Sequence, residues 1–281
     1  MLAINPVGSA EIAGCAALSE EAGWNQTARD WEYIVDAGEC FGIRQDAQLI
    51  ATAAFIPYGS LFAWICMVLV TKPHRRNGHA LRLMKHCMKL LDRRAMIIGL
   101  DATRAGNLVY RGLGFEAVQS IARLRADRLG NLQADVRSDV VPMSSAMLGG
   151  VAVYDQTIFH ADRSTLLGAL HARLPQVAYV AYGGGDLRGM VLGREGRTAM
   201  QIGPVVAEDE ATAIALVAAA LSAFPAKSVM IDVANGQRRL LAWLKSIGFE
   251  EERDFTRMLV GRQTPIGDPA RTMAIAGPEF S

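Results

Sequence analysis

Two stretches of this chain repeat one another. Met96-Ile97-Ile98-Gly99-Leu100-Asp101, a helix-patterned segment and Gly114-Phe115-Glu116 return as Ser228-Val229-Met230-Ile231-Asp232, a second such segment and Gly248-Phe249-Glu250. The upstream parts correspond as well. An apolar run at 61–70 followed by an amphipathic segment at 79–94 is echoed by 199–206 followed by 209–221. Self-similarity on this scale means that one supersecondary unit has been used twice, so the 281 residues are read as two copies of one α/β unit.

The first copy can be followed element by element. Residues 9–22 pattern as a helix, with Ser9 as its cap and Ile12, Ala16 and Leu18 as its apolar stripe. Residues 27–37 pattern as a second, with Trp31, Ile34 and Val35 on one face. Strand-like runs at 40–44, 49–56 and 61–70, broken at Asp46 and at Pro57-Tyr58-Gly59-Ser60, form an antiparallel meander. Next, 79–94 places Leu81, Met84, Cys87, Met88 and Leu91 at helical spacing, and 96–100 suits a buried central strand reached by a strand–helix–strand crossover. A short helix at 107–113 ends at Gly114, and 115–124 is the last strand. The expected class is α/β with a mixed sheet of the α+β kind, in two tandem domains. They divide as domain 1–126, linker 127–137, domain 138–261 and an extended arm over 262–281.

Charge excludes some partners. A formal net charge of +1 and a pI near 7.7 give no global pull toward nucleic acid or an anionic membrane, so an anionic ligand has to be held locally. Cys15, Cys40, Cys66 and Cys87 lie in apolar surroundings without a CxxC pair, which reads as buried thiols in a reducing compartment and not as a disulfide framework or zinc site. No signal-like segment and no apolar run near 20 residues is present, so a cytoplasmic location is expected.

Such a local holder is found at Val68-Leu69-Val70-Thr71-Lys72-Pro73-His74-Arg75-Arg76-Asn77-Gly78-His79-Ala80. An apolar strand ends, a basic turn with a glycine follows, and a long helix begins. Consecutive amides and the positive end of the helix dipole then converge on one point, where a pyrophosphate fits. Gly78 permits close approach to the backbone, Ala80 keeps the first helical turn thin, and Lys72, Arg75, Arg76, Arg82 and Lys85 add charge.

Arg75-x-x-Gly78-x-Ala80 resembles the Arg/Gln-x-x-Gly-x-Gly/Ala motif of the GCN5-related N-acetyltransferase (GNAT) family. A second landmark follows in order: Asn107-Leu108-Val109-Tyr110-Arg111-Gly112-Leu113-Gly114-Phe115 is similar to the family's Asn…Tyr-x-x-x-Gly-Phe ending. The whole chain resembles tandem GNAT proteins with an intact N-terminal and a degenerate C-terminal domain. The resemblance implies acetyl-CoA as co-substrate, with no metal. Val68, Leu69 and Val70 would meet its pantetheine arm, and Arg75, Arg76, Asn77, Gly78, His79 and Ala80 its pyrophosphate. Asn107 would lie beside it, and Tyr110 near its sulfur as the acid that protonates the thiolate. The C-terminal copy departs from the pattern. Ala207-Glu208-Asp209-Glu210 stands where the basic turn should be, and Leu244 stands where the tyrosine should be.

Many relatives take a general base from a glutamate on the strand before the turn, but Ala63-Trp64-Ile65-Cys66-Met67 has none, which leaves Asp101, directly or through a water chain, as the candidate. His74 and His79 read as phosphate neighbours, and Cys66 as core. Trp24, Asn25 and Trp31, with Gln26, are candidates for the acceptor pocket. His160, Asp162 and Arg163 read as surface or capping residues. The expected activity is direct transfer of an acetyl group to a primary amine of a small molecule. The alternatives are a non-catalytic acyl-CoA sensor and a protein or peptide N-acetyltransferase. Neither the acceptor nor the oligomeric state is legible.

Overall fold

A computed structural model describes residues 2–130, 139–223 and 228–281. Most of the expected linker, 131–137, lies outside the described residues. The first copy runs β1 (Ile4–Pro6), α1 (Ile12–Glu21), α2 (Ala28–Ala37), β2 (Glu39–Gln45), β3 (Gln48–Tyr58), β4 (Phe62–Val70), α3 (His79–Asp92), β5 (Ile97–Thr103), α4 (Arg104–Arg111) and β6 (Glu116–Ala126). The second runs β7 (Val140–Pro142), α5 (Leu148–Phe159), α6 (Ser164–Arg173), β8 (Tyr179–Gly183), β9 (Asp186–Arg194), β10 (Met200–Ala207), α7 (Glu210–Ser222), β11 (Val229–Ala234), α8 (Arg238–Ser246) and β12 (Glu250–Val260). A short β13 (Thr272–Ala274) follows. The mixed α/β class and the repeat are both present in this order.

Local chemistry explains several boundaries. α2 starts after Thr27, whose amide donates to Asp30 Oδ2 at 2.6 Å, a capping arrangement worth about 1 kcal/mol. Ser9 makes no such cap: residues Ser9–Glu11 form a 3-10 turn, and α1 buries Cys15, Leu18 and Ser19. On α3 the buried set is Leu83, Met84, Cys87 and Leu91, while Leu81 is 39% exposed, because the helix is turned by half a step from the stripe expected.

The strands form one sheet in the order β1-β2-β3-β4-β5-β12-β6-β11-β13-β10-β9-β8-β7. The crossovers β4-α3-β5 and β10-α7-β11 are parallel, and every other neighbouring pair is antiparallel. The last strand of each copy is exchanged. β12 lies against β5, with Phe255 opposite Thr103 through Val260 opposite Ile98, and β6 lies against β11, with Val229 opposite Ala126 through Ala234 opposite Ile121. β6 and β12 then pair with each other. A first unit closed by its own last strand is therefore not what forms: β6 completes the other copy's half of the sheet.

The cores follow this exchange. Trp31 and Ile34 from α2, Trp64 from β4, and Leu166, Leu167 and Leu170 from α6 share one apolar cluster that joins the two copies. α3 closes a second cluster against β2–β5 through Leu83, Met84 and Cys87, and α7 and α8 close a third against β10 and β11. Among the described residues no helix is long and apolar enough to cross a membrane.

Candidate active site

β4 and β5 begin as parallel neighbours, with Phe62, Ala63 and Trp64 opposite Ile97, Ile98 and Gly99, and then part. The cause lies within β4. Met67 adopts φ +52°, the register against β3 slips between Thr52 and Ala54, and Thr52 Oγ1 donates to the Met67 carbonyl at 2.9 Å. A bulge of this kind bends its strand. Beyond Trp64 the edge of β4 that faces β5 has no ladder partner among the described residues, and a wedge opens toward the strands' C-terminal ends. Gly99 belongs to the hinge of this wedge, since a Cβ there would sit 2.2 Å from the Trp64 ring.

The basic turn stands at the wedge's mouth. Gly78 occupies the N-cap of α3 at φ +77°, a left-handed conformation that suits glycine, and no side chain caps the helix. The first-turn amides, which have no intrahelical acceptor, are thus left to solvent or a ligand. Arg75, Arg76, Asn77 and Gly78 are exposed, and His79 and Ala80 half-buried. Arg75 folds back, its Nε donating to the Val70 carbonyl at 3.2 Å. Arg82, expected to add charge at the rim, donates instead to the Leu2 carbonyl at 2.6 Å.

Behind the turn lies a cavity of about 130 Å³. Ile65, Cys66, Met67 and Val68 form one wall, and Leu100, Asp101, Thr103 and Tyr110 face them. Trp24, Gln26, Pro278 and Glu279 close a third side, and Arg123, Arg253 and Phe255 a fourth. Burial raises the Tyr110 phenol above its ordinary range, so it stays protonated at neutral pH, and its hydroxyl has no hydrogen-bond partner among the described residues. Burial also pushes the Cys66 thiol well up, so a nucleophilic thiolate is disfavoured. Asn107 Oδ1 accepts from Arg111 Nε at 2.8 Å.

Asp101 directs both oxygens to Arg257 on β12, at 3.0 and 2.9 Å, and its side chain is fully buried. Burial raises this carboxyl, with the Arg257 guanidinium opposing. The same pair recurs in the other half, where Asp232 on β11 accepts from Arg123 on β6 at 2.7 Å through each oxygen. Each pair ties an exchanged strand to its new neighbour. The signal was present in the sequence: Arg123 and Arg257 each stand eight residues after the phenylalanine of the repeated Gly-Phe-Glu.

The equivalent wedge in the second copy is filled. β10 and β11 pair over Met200–Ile202 and Val229–Ile231 and then part, and β13 enters the gap, with Ala274 opposite both Val205 and Val233. At the start of α7 the Asp209 carboxylate accepts from the Thr212 amide at 2.7 Å, so a side chain takes a first-turn donor that is left open on α3. Glu208 pairs with Arg188, and Glu210 accepts from the Leu240 amide at 2.8 Å. Leu244, in the tyrosine's place, is fully buried.

Two residues expected in the acceptor pocket lie elsewhere. Trp31 is fully buried, and its indole donates to Ser19 Oγ at 2.9 Å. Asn25 is a tie between the copies, accepting from the Thr198 and Ala199 amides at 2.9 and 3.0 Å and donating to the Ala199 carbonyl at 3.0 Å. Trp24 does line the cavity. Arg163, read as surface, is buried: it binds Asp155 at 2.7 and 2.8 Å and donates to the Ser281 main-chain oxygen at 2.9 Å. The 262–281 arm was expected to pack, but no residue type in it predicted that Pro278 and Glu279 would reach the cavity.

Two models of known families match this chain. Residues 10–124 match the acetyltransferase (GNAT) family, and residues 151–270 match an acetyltransferase (GNAT) domain. The chain is 27% identical over 232 residues to a holothin acyltransferase of Pseudoalteromonas sp. (strain SANK 73390), spanning 82% of this chain and 77% of that protein. Among solved structures, a Pyrococcus horikoshii protein described as a candidate acetyltransferase superposes with a TM-score of 0.79 at 17% identity, over 100% of this chain and 96% of its own. A tandem GNAT protein from the clavulanic acid biosynthesis pathway superposes at 0.64 and 15%, over 92% of this chain and 98% of its own. At those identities the structures speak to fold alone. With both halves matched and the wedge, basic turn and repeat in register, this chain is a GNAT acyltransferase built of two GNAT domains in tandem.

Proposed function

We propose that the N-terminal domain binds acetyl-CoA and passes its acetyl group directly to the primary amine of a small molecule. The observation that carries this reading is the contrast between the two wedges: one is open and faced by an uncapped basic helix start, the other is filled by β13 and faced by carboxylates. The pyrophosphate then rests on the amides around Gly78, His79 and Ala80, with Arg75, Arg76 and Asn77 about it, and the pantetheine arm runs along the free edge of β4 at Val68, Leu69 and Val70. Asn107, one turn before Tyr110 on α4, is assigned a place beside that arm.

A ternary complex fits these surroundings better than an acyl-enzyme, since Cys66 is held as a neutral thiol. Tyr110, neutral by burial, donates a proton to the departing sulfur. Asp101 acts by fixing Arg257 and β12, and Trp24 contributes a wall of the acceptor site. A cavity of about 130 Å³, lined in part by Pro278 and Glu279, favours a small acceptor over a peptide. The holothin acyltransferase relative supports the same class of acceptor and makes holothin the first compound to try.

Calorimetric titration of the full chain with acetyl-CoA tests the coenzyme assignment. One site per chain is expected, and Gly78→Asp, which adds bulk and negative charge where phosphate oxygens approach, removes it. A stoichiometry of two, or an unchanged dissociation constant in the variant, overturns the reading.

A further inference from the structure

The C-terminal segment is held at the cavity from several directions. Tyr58 donates to the Phe280 carbonyl at 2.5 Å, Trp64 Nε1 to the Pro278 carbonyl at 3.1 Å, and Arg163 to the Ser281 oxygen at 2.9 Å. Between these ties lies Glu279, 2% exposed and one of the residues that line the cavity. Its Oε1 accepts from Arg194 Nη2, and Arg194 in turn donates to Asp30 Oδ1 at 3.1 Å, which also accepts from Arg173 at 2.8 Å. Its Oε2 is buried and makes no hydrogen bond among the described residues. The amide oxygen of Gln26, on the same cavity, is likewise buried and unpartnered. An acceptor left buried without a donor is disfavoured, and two of them at one cavity mark the place of a ligand rich in N–H donors.

We propose that Glu279 and Gln26 receive the ammonium group of the acceptor, and that Glu279 is the base that takes its first proton. This rests on the acyl-transfer reading above. Glu279 Oε2 removes one proton from the ammonium, which frees the nitrogen lone pair to form the N–C bond at the thioester carbonyl. The C–S bond breaks with its electron pair on sulfur. Tyr110 gives its proton to that sulfur and recovers one from the new amide nitrogen, and the proton on Glu279 leaves to water with the product.

Electrostatics agree with this role. Burial lifts the Glu279 carboxyl above its ordinary range and Asp30 lifts it further, while Arg194, the Glu279 main-chain amide and the Gln26 side chain oppose. The other ionisable groups on the cavity are Asp101, Arg123, Arg253, Tyr110 and Cys66, of which Asp101 and Arg123 are bound in ion pairs of their own. A carboxylate moved toward neutrality is a more effective base at neutral pH than one at its ordinary value.

The test compares two kinds of nucleophile on the full chain, following release of coenzyme A from acetyl-CoA. One kind is a panel of primary alkyl amines, protonated at pH 7, and the other is hydroxylamine, already neutral at pH 7 and in no need of a base. Glu279→Gln keeps an oxygen for Arg194. It is expected to lower kcat/KM for the basic amines by about 100-fold or more, to remove the low-pH limb of the profile, and to leave coenzyme affinity and hydroxylamine turnover within a few-fold of wild type. Equal losses with both nucleophiles, or no loss with the amines, overturns the assignment and leaves acyl transfer standing. A wild type that binds coenzyme but transfers to neither nucleophile overturns acyl transfer itself, and this inference with it.

Discussion

Tyr110 owes its usefulness to its neighbours. Its phenol is protonated because the surroundings are apolar, and the ring can lie where it does because residue 106 is glycine: a Cβ there would come within 2.8 Å of the ring. Phe115 holds the ring's other side, with centroids 6.0 Å apart. Tyr110→Phe keeps that packing and removes only the hydroxyl, so turnover should fall about 10-fold or more with coenzyme affinity unchanged, the pattern of lost acid assistance. Gly106→Ala should reduce turnover as well, by displacing a ring whose hydroxyl is intact. Steady-state rates and coenzyme titration separate the two. A Tyr110→Phe protein with wild-type turnover would reduce Tyr110 to packing.

At the scale of elements, the paired aspartates decide how Asp101 is understood. Asp101–Arg257 and Asp232–Arg123 occupy the same place in the two domains, yet only one lies at the open wedge. A feature present in both halves belongs to the strand exchange that both share. Removing one partner of a buried pair leaves the other charge uncompensated, at a cost of about 3–5 kcal/mol. Asp101→Asn and Asp232→Asn should therefore lose stability to a similar degree in denaturant melts, and both should retain turnover at low temperature. An Asp101 variant that is stable but inert would restore a base at that position. Much at this scale was legible because it is local: the apolar runs located β2 to β5 to within a few residues, and the repeated Gly-Phe-Glu located the starts of β6 and β12. The bulge at Met67 was hidden inside Ile65-Cys66-Met67-Val68, which reads as a uniform apolar run. Glu279 was hidden for a different reason. It stands in a glycine- and proline-rich arm whose path is set by Tyr58, Trp64 and Arg163, each more than a hundred residues away in the chain.

For the whole molecule, the exchange of β6 and β12 means that neither domain is complete without the other. Separated from residues 139–281, the N-terminal part would present β5 as an open edge along Ile98–Thr103 and would strand β6 with neither β11 nor β12 beside it. It would also lose the shared cluster under α2 and the carboxylate of Glu279 at its cavity. Unpaired hydrophobic edges template aggregation, so residues 1–130 expressed alone should be insoluble or associate with themselves. Severing the chain between the domains while producing both parts together removes only a covalent link, because the pairing surfaces remain complementary. Co-expression should therefore give a 1:1 complex that elutes with the intact 30.3 kDa chain, binds one acetyl-CoA and turns over. The tie is a long antiparallel ribbon with two buried ion pairs, so dissociation on dilution should be slow. Size-exclusion chromatography with light scattering reads the assembly, and coenzyme release reads the site. A soluble, monomeric 1–130 fragment that binds acetyl-CoA with the affinity of the full chain would show that the exchange is dispensable, and that the N-terminal domain closes without the strand it borrows.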